Sequence, residues 1–195
     1  MTEYNILSAT TLPGQAHLPR ETTETNVLLE APALSVMTDL TQVPVVSIDP
    51  EASIDEANDL MVQRRVRLLF VIDTHDSMIG VVTTNDILGE KPMQIVLARG
   101  VKHAEIRVRD VMTPGNKVEA LDMSALGEAR VGDIVATMRE HGRQHALVIR
   151  DGGADGPEVC GVFSAADLSR RLGETVVPVD RANTFAEIEE TIARQ

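Results

Sequence analysis

The sequence repeats itself, and that repeat constrains the fold more than any other feature. Gly80-Val81-Val82-Thr83-Thr84-Asn85-Asp86-Ile87 has a second copy in Gly161-Val162-Phe163-Ser164-Ala165-Ala166-Asp167-Leu168. Each copy reads glycine, two apolar residues, a hydroxyl residue, two variable residues, an aspartate and an aliphatic. Val36-Met37-Thr38 recurs as Val111-Met112-Thr113, and Leu69-Phe70-Val71-Ile72 as Ala146-Leu147-Val148-Ile149. The offset between copies is 75 residues at Met37/Met112, 77 at Met61/Met138 and 81 at Asp86/Asp167. Copy two therefore has two extra residues before its helix and four more in its hairpin, where Gly152, Gly153 and Gly156 cluster. Growth confined to loops is expected of two copies of one fold. A unit of about 60 residues buries little apolar surface alone, so the two must pack together.

Hydrophobic spacing gives the elements. Val43-Pro44-Val45-Val46-Ser47-Ile48 reads as a strand broken by Asp49-Pro50. Ser53-Ile54-Asp55-Glu56 is a capping box, in which serine accepts from a free backbone N–H and glutamate reaches back. The helix behind it runs to about Arg65, with Ile54, Ala57, Leu60 and Met61 on one face. Residues 66–72 form a continuous apolar strand of the doubly buried kind. Residues 73–77 make a polar turn, residues 78–82 a returning strand, and residues 85–88 begin a second helix. In copy two, Val131, Ile134, Val135 and Met138 make the helix face and Gly142 its C-cap.

These elements predict an α/β (α+β) chain of two β-α-β-β-α repeats packed as a pseudo-two-fold pair. Residues 1–33 form an N-terminal arm, extended apart from one short docked segment near Leu28-Leu29. Residues 34–90 are repeat one, opening on a short helical turn at 34–38. Residues 91–107 are a partly helical bridge, with the next strand starting near Ile106. Residues 108–173 are repeat two. Residues 174–195 are a tail in which Thr184 and Glu187 cap a short amphipathic helix bearing Phe185, Ile188 and Ile192. That helix is expected to dock on its own module.

Composition then excludes several functions. The formal net charge is −12, which opposes nucleic-acid binding through counterion release. Aromatics are 2% of residues, so base-stacking platforms are scarce and the core is aliphatic. A single cysteine, Cys160, excludes an intrachain disulfide and fits a reducing, cytoplasmic setting. The first twelve residues have no basic flank or sustained apolar run, and no apolar stretch approaches a membrane span. No secretion signal and no membrane association are expected.

With V-M-T opening and G-h-h-[S/T]-x-x-D-[I/L] closing each unit, the chain resembles a tandem pair of cystathionine-β-synthase-type (CBS) domains, a Bateman module. The resemblance covers about residues 34–173. It implies a homodimer and clefts between the repeats that bind an adenosine-containing ligand: AMP, ADP, ATP or S-adenosylmethionine. It also implies that the hydroxyl and aspartate of each closing motif hold phosphate and ribose. Carried over, these are Thr83 and Asp86 for one cleft and Ser164 and Asp167 for the other.

The chemistry is coherent. An ionised aspartate accepts from both ribose hydroxyls, and a hydroxyl at a helix N-terminus donates to phosphate. Val45, Val46, Leu69, Ala146 and Val162 are candidate walls for adenine; they are equally core residues in any version of the fold. Candidate cations are Arg64, Arg65 and Arg67, the equivalent Arg143 and His145, and the bridge residues Lys102, His103, Arg107 and Arg109. Arg67 stands out because it interrupts an apolar strand, whereas Arg64 and Arg65 also complement a helix C-terminus.

The copies differ. By constant offset, Leu126-Gly127 occupies the place of Asp49-Pro50, and Ala165-Ala166 replaces Thr84-Asn85. Thr83 and Asp86 are thus the stronger pair on sequence. His141 and His145 find no third metal ligand nearby, and Cys160 reads as a small buried residue. Duplication of Asp86 and Asp167 in equivalent positions favours binding over acid/base catalysis, so no catalytic residue, no metal and no required cofactor are expected. The function expected is that of a non-enzymatic regulatory module sensing an adenosine ligand. The alternative is a ligand-free interaction module. In either case the regulated partner protein is expected on a separate chain.

Overall fold

The computed structural model describes residues 27–153 and 156–176. Two four-stranded sheets carry the repeats, and each borrows a strand from the other repeat. The first sheet has β2 (Ser47–Ile48), β3 (Leu68–Ile72), β4 (Met78–Thr83) and β5 (Thr113–Pro114) in that order. The second has β6 (Ala120–Asp122), β7 (His145–Asp151), β8 (Pro157–Ser164) and β1 (Thr38–Asp39). In both, the first pair is parallel and the others antiparallel. The parallel pair is closed by a crossover helix, as parallel strands require: α1 (Ile54–Arg64) in one repeat and α5 (Val131–Glu140) in the other. Helices α2 (Thr84–Leu88) and α6 (Ala165–Leu172) follow the two hairpins. The bridge holds α3 (Lys91–Arg99), and α4 (Val108–Val111) precedes β5. The β-α-β-β-α order is therefore present twice.

The exchange of β1 and β5 explains the opening and closing motifs together. Gly80 pairs with Pro114 and Gly161 with Asp39, so each closing glycine lies under the other repeat's opening segment. A Cβ at Gly80 would sit 2.5 Å from the Thr113 carbonyl oxygen and 3.3 Å from Met112 Sδ. A Cβ at Gly161 would collide with the Met37 side chain. Glycine is needed here for close approach, and the V-M-T methionines fill the space it leaves.

Side chains alternate across each strand and sort into three apolar layers. Leu69, Val71 and Val82 face α1, α2 and α4, with Ile54, Ala57, Met61, Ile87, Val108 and Val111. Val148, Cys160 and Phe163 face α5 and α6, with Val36, Val131, Ile134, Val135, Met138 and Leu168. The opposite faces of the sheets meet each other through Phe70, Val81 and Leu147. Val36 and Val111, from the opening segments, are thus buried in the other repeat's core.

Several boundaries differ from expectation. The strand expected at 43–48 shrinks to Ser47–Ile48, because Val43 and Val45 remain 41% and 49% exposed at a cleft rim. No strand begins near Ile106. Ile106 is buried, and Val108–Val111 is helical, its N-terminus closed by the Asp110 carboxylate on the Arg107 N–H. The parallel register also corrects the alignment of the copies. Ile48 pairs with Val71 and Leu121 with Val148, so Asp122 is the counterpart of Asp49, not Leu126. Asp49 accepts from the Glu51 N–H at 2.7 Å and Asp122 from the Ser124 N–H at 2.8 Å, the same local turn. The extra residues fall after it, in a 3-10 turn at Met123–Leu126.

Capping boxes close α1 at Ser53/Glu56 and α2 at Thr83/Asp86. Arg65 ends α1 in the left-handed region at φ 56°, and Gly142, at φ 59°, follows α5. Of the arm, residues 27–33 dock on repeat two: Leu29 and Ala31 carbonyls accept the N–H groups of Gly132 and Val131. The expected helix at Phe185, Ile188 and Ile192 lies outside the described residues.

Candidate functional site

Two clefts lie between the repeats, related by the pseudo-two-fold. The larger, about 380 Å³, is bounded by the 43–46 segment, by Arg65, Arg67 and Leu68 at the start of β3, and by Ser164 and Asp167. Leu40, Phe70 and Val162 give it an apolar floor. The smaller, about 280 Å³, is bounded by Val118 and Glu119, by residues 142–145, and by Thr83 and Asp86. Each cleft therefore joins one repeat's closing motif to the other repeat's strand-entry loops.

The two closing motifs are in different states. In the smaller cleft, Asp86 is turned inward, the only charged residue buried among those described. Its Oδ2 accepts from the Thr83 N–H at 2.9 Å and from the Thr83 hydroxyl at 2.6 Å, while Oδ1 takes the Lys91 ammonium. The Thr83 proton is thus committed to its own aspartate. In the larger cleft, Ser164 makes no side-chain cap bond to α6. Asp167 gives one oxygen to Arg170 and the other to Arg171, the latter at 2.7 Å. A carboxylate offers about four lone-pair positions, so Asp167 retains one free acceptor position on each oxygen.

Both aspartates also reach the other repeat's opening segment through a cation. Lys91, held by Asp86, donates to the Val111 carbonyl at 3.0 Å. Arg171, held by Asp167, donates to the Ser35 carbonyl at 3.5 Å.

The remaining predicted residues divide clearly. Val45, Val46, Val162, Arg65 and Arg67 line the larger cleft. Leu69 does not: it is fully buried on the α1 side of its sheet, because strand alternation sends Leu68 and Phe70 to the cleft side instead. Ala146 likewise faces the second core. Arg64 and the bridge cations line neither cleft, and Arg109 pairs with Glu51. Arg143 lines the smaller cleft but is paired with Glu119 at 3.0 Å.

His145, expected as a cation, is held neutral. Burial, helped by the Arg67 charge beside it, lowers its pKa from 6.5 to about 4. Its Nδ1 is buried without a hydrogen-bond partner among the described residues. His145 and Leu68 line both clefts.

Sequence reasoning missed Arg170 and Lys91. Arg170 lies one helical turn after Asp167, a spacing that signals an i,i+3 pair. Lys91 falls just beyond the end of α2 and carries no such signal. No group of three metal-binding side chains occurs among the described residues, and none of their helices is long and apolar enough to cross a membrane.

The CBS domain family model matches residues 35–92 and 108–174, one match to each repeat. The chain belongs to the CBS domain family. An uncharacterised conserved protein of Pyrococcus horikoshii, known from its crystal structure, is 25% identical with a TM-score of 0.52, covering 73% of this chain and 92% of that one. The CBS-pair protein CBSX2, crystallised in complex with AMP, is 24% identical with a TM-score of 0.48, covering 72% of this chain and 94% of that one. The meiotically up-regulated gene 70 protein of Schizosaccharomyces pombe is 24% identical over 113 residues, or 58% of this chain. This chain spans 14% of that relative's length.

Proposed function

We propose that this CBS pair is a regulatory module that binds an adenosine-containing ligand, AMP, ADP, ATP or S-adenosylmethionine, and performs no catalysis. The observation that carries this reading is the open motif of the larger cleft. Ser164 has a hydroxyl free of capping, Asp167 keeps an acceptor position on each oxygen for a ribose diol, and Val45, Val46 and Val162 offer apolar walls for a base. About 380 Å³ falls within the range of small-molecule sites. We place the binding pair at Ser164 and Asp167 rather than at Thr83 and Asp86, because Oδ2 of Asp86 already accepts two hydrogen bonds, one of which a ribose diol bridging both oxygens would have to displace.

Ligand binding shifts a conformational equilibrium only by differential affinity for the two states. The larger cleft meets that requirement, since its walls come from both repeats. Leu88, Met93 and Leu97 are exposed apolar residues on or beside α2 and α3, and support a homodimer contact that could carry the change outward. A regulated protein on a separate chain completes the reading, in the cytoplasm.

Calorimetric titration with AMP, ATP and S-adenosylmethionine tests the proposal, with Asp167→Ala and Asp86→Ala in parallel. Binding should be lost in Asp167→Ala and kept in Asp86→Ala. Absence of binding by the wild type for every adenosine ligand would sink the reading in favour of a ligand-free interaction module. Turnover of the bound nucleotide would refute the non-catalytic part.

A further inference from the structure

The two clefts differ in charge, and the difference arises at equivalent positions. Arg67 of the larger cleft is replaced by Gln144 in the smaller, and Arg65 by Gly142; these pairs share the 77-residue offset of Leu68 and His145. Val46 is replaced by Glu119, at the 73-residue offset fixed by the β2 and β6 registers. The charged residues lining the larger cleft are Arg65, Arg67, Arg170 and Asp167, a net of two positive. Those lining the smaller are Arg143, Asp86 and Glu119, a net of one negative that the Lys91 ammonium on Asp86 brings to neutral. Arg170 is committed to Asp167 and Arg143 to Glu119. Arg67 makes no ion pair among the described residues, although it stands at the cleft wall beside His145.

Arg67 is exposed, and unpaired among the described residues, at the wall of a cleft with an apolar floor, so its guanidinium is free to meet a ligand without first breaking an ion pair. A cleft of one sign with low-dielectric walls focuses field lines and concentrates the opposite ion. The guanidinium fork suits a phosphate oxygen pair, which a point charge or an amide does not match equally.

Resting on the reading of the larger cleft as an adenosine site, we infer that this cleft selects phosphorylated adenosine ligands over S-adenosylmethionine and over the bare nucleoside, with Arg67 as the specificity-determining residue. The smaller cleft, with Glu119 and an Asp86 that already accepts three hydrogen bonds, takes no nucleotide phosphate, so one nucleotide binds per chain. The sulfonium of S-adenosylmethionine brings a positive charge where Arg65 and Arg67 already stand. His145 next to Arg67 then reports occupancy: an added phosphate anion favours its protonated form and raises its pKa.

The test is calorimetry with AMP, adenosine and S-adenosylmethionine on the wild-type chain and on Arg67→Gln, which installs the side chain of the smaller cleft. The wild type should prefer AMP to adenosine by roughly ten- to a hundredfold, the worth of one charge-assisted bond. The stoichiometry should be one. Arg67→Gln should lower AMP affinity far more than adenosine affinity and so erase that preference. The His145 ring protons, followed by NMR, should titrate at higher pH with AMP than with adenosine. Equal affinity for AMP and adenosine, tighter binding of S-adenosylmethionine, or an unchanged preference in Arg67→Gln would overturn the selectivity and leave the adenosine site standing. Failure of all three ligands to bind would remove the site itself, and the selectivity with it.

Discussion

Leu68 and His145 occupy the same position in the two repeats, each directly opposite its own motif hydroxyl. Leu68 pairs with Thr83 and His145 with Ser164 across their hairpins. Both side chains line both clefts. One repeat thus places an alkyl group, and the other an imidazole, at the centre of the module.

This asymmetry predicts a specific pH dependence. The folded pKa of His145, about 4, lies below its unfolded value near 6.5. Its contribution to stability is complete above pH 6.5 and is lost as pH falls towards 4, because the unfolded chain binds the proton first. The loss over that interval should approach about 3 kcal/mol at most. His145→Leu, copying the other repeat, should flatten the midpoint-temperature profile between pH 6.5 and 4. Thermal melts across that range check it, and a slope unchanged in the variant would refute it.

The two closing glycines should respond unequally to alanine. At Gly80 the added methyl meets the Thr113 backbone carbonyl, which cannot move without shifting β5. At Gly161 it meets the flexible Met37 side chain. Gly80→Ala should cost about 2–4 kcal/mol and Gly161→Ala about 1–2 kcal/mol, by analogy with overpacked sites. Urea unfolding of both variants measures the difference, and equal losses would contradict the exchange geometry.

The two motif aspartates should separate structure from binding. Asp86→Ala removes the carboxylate half of the α2 capping box and leaves Lys91 without its carboxylate, at a cost of about 1–3 kcal/mol. Asp167→Ala breaks pairs to Arg170 and Arg171 on its own helix, which are worth less than about 1 kcal/mol in total. Chemical denaturation in the absence of ligand should rank them in that order.

The contact between sheets rests on few large residues. Phe70, 7% exposed, meets Val81 and Leu147 there. Phe70→Ala should destabilise by about 3–5 kcal/mol. A loss confined to repeat one, with repeat two exchanging amide hydrogens as before, would show that the repeats do not fold as one unit.

Much of this protein is legible in its sequence because the signals are local. Ser53 and Glu56 fix the start of α1 by bonds within one turn, and the 3.6-residue spacing of Val131, Ile134, Val135 and Met138 fixes the buried face of α5. The duplicated motif fixes the pairing of two equal units. What the sequence could not determine is set by contacts distant along the chain. The exchange of β1 and β5 depends on which sheet edge is free when the units meet. The register of β6 on β7, and with it the identity of Asp122 as the partner of Asp49, depends on strand pairing rather than residue count. The state of each closing motif is decided the same way. Asp86 and Asp167 are alike in sequence, but the cation each finds, and the acceptor positions left over, follow from where Lys91, Arg170 and Arg171 come to rest. Tertiary structure alone made Ser164 and Asp167 the open pair, because hydrogen-bond capacity is finite and packing determines which groups consume it.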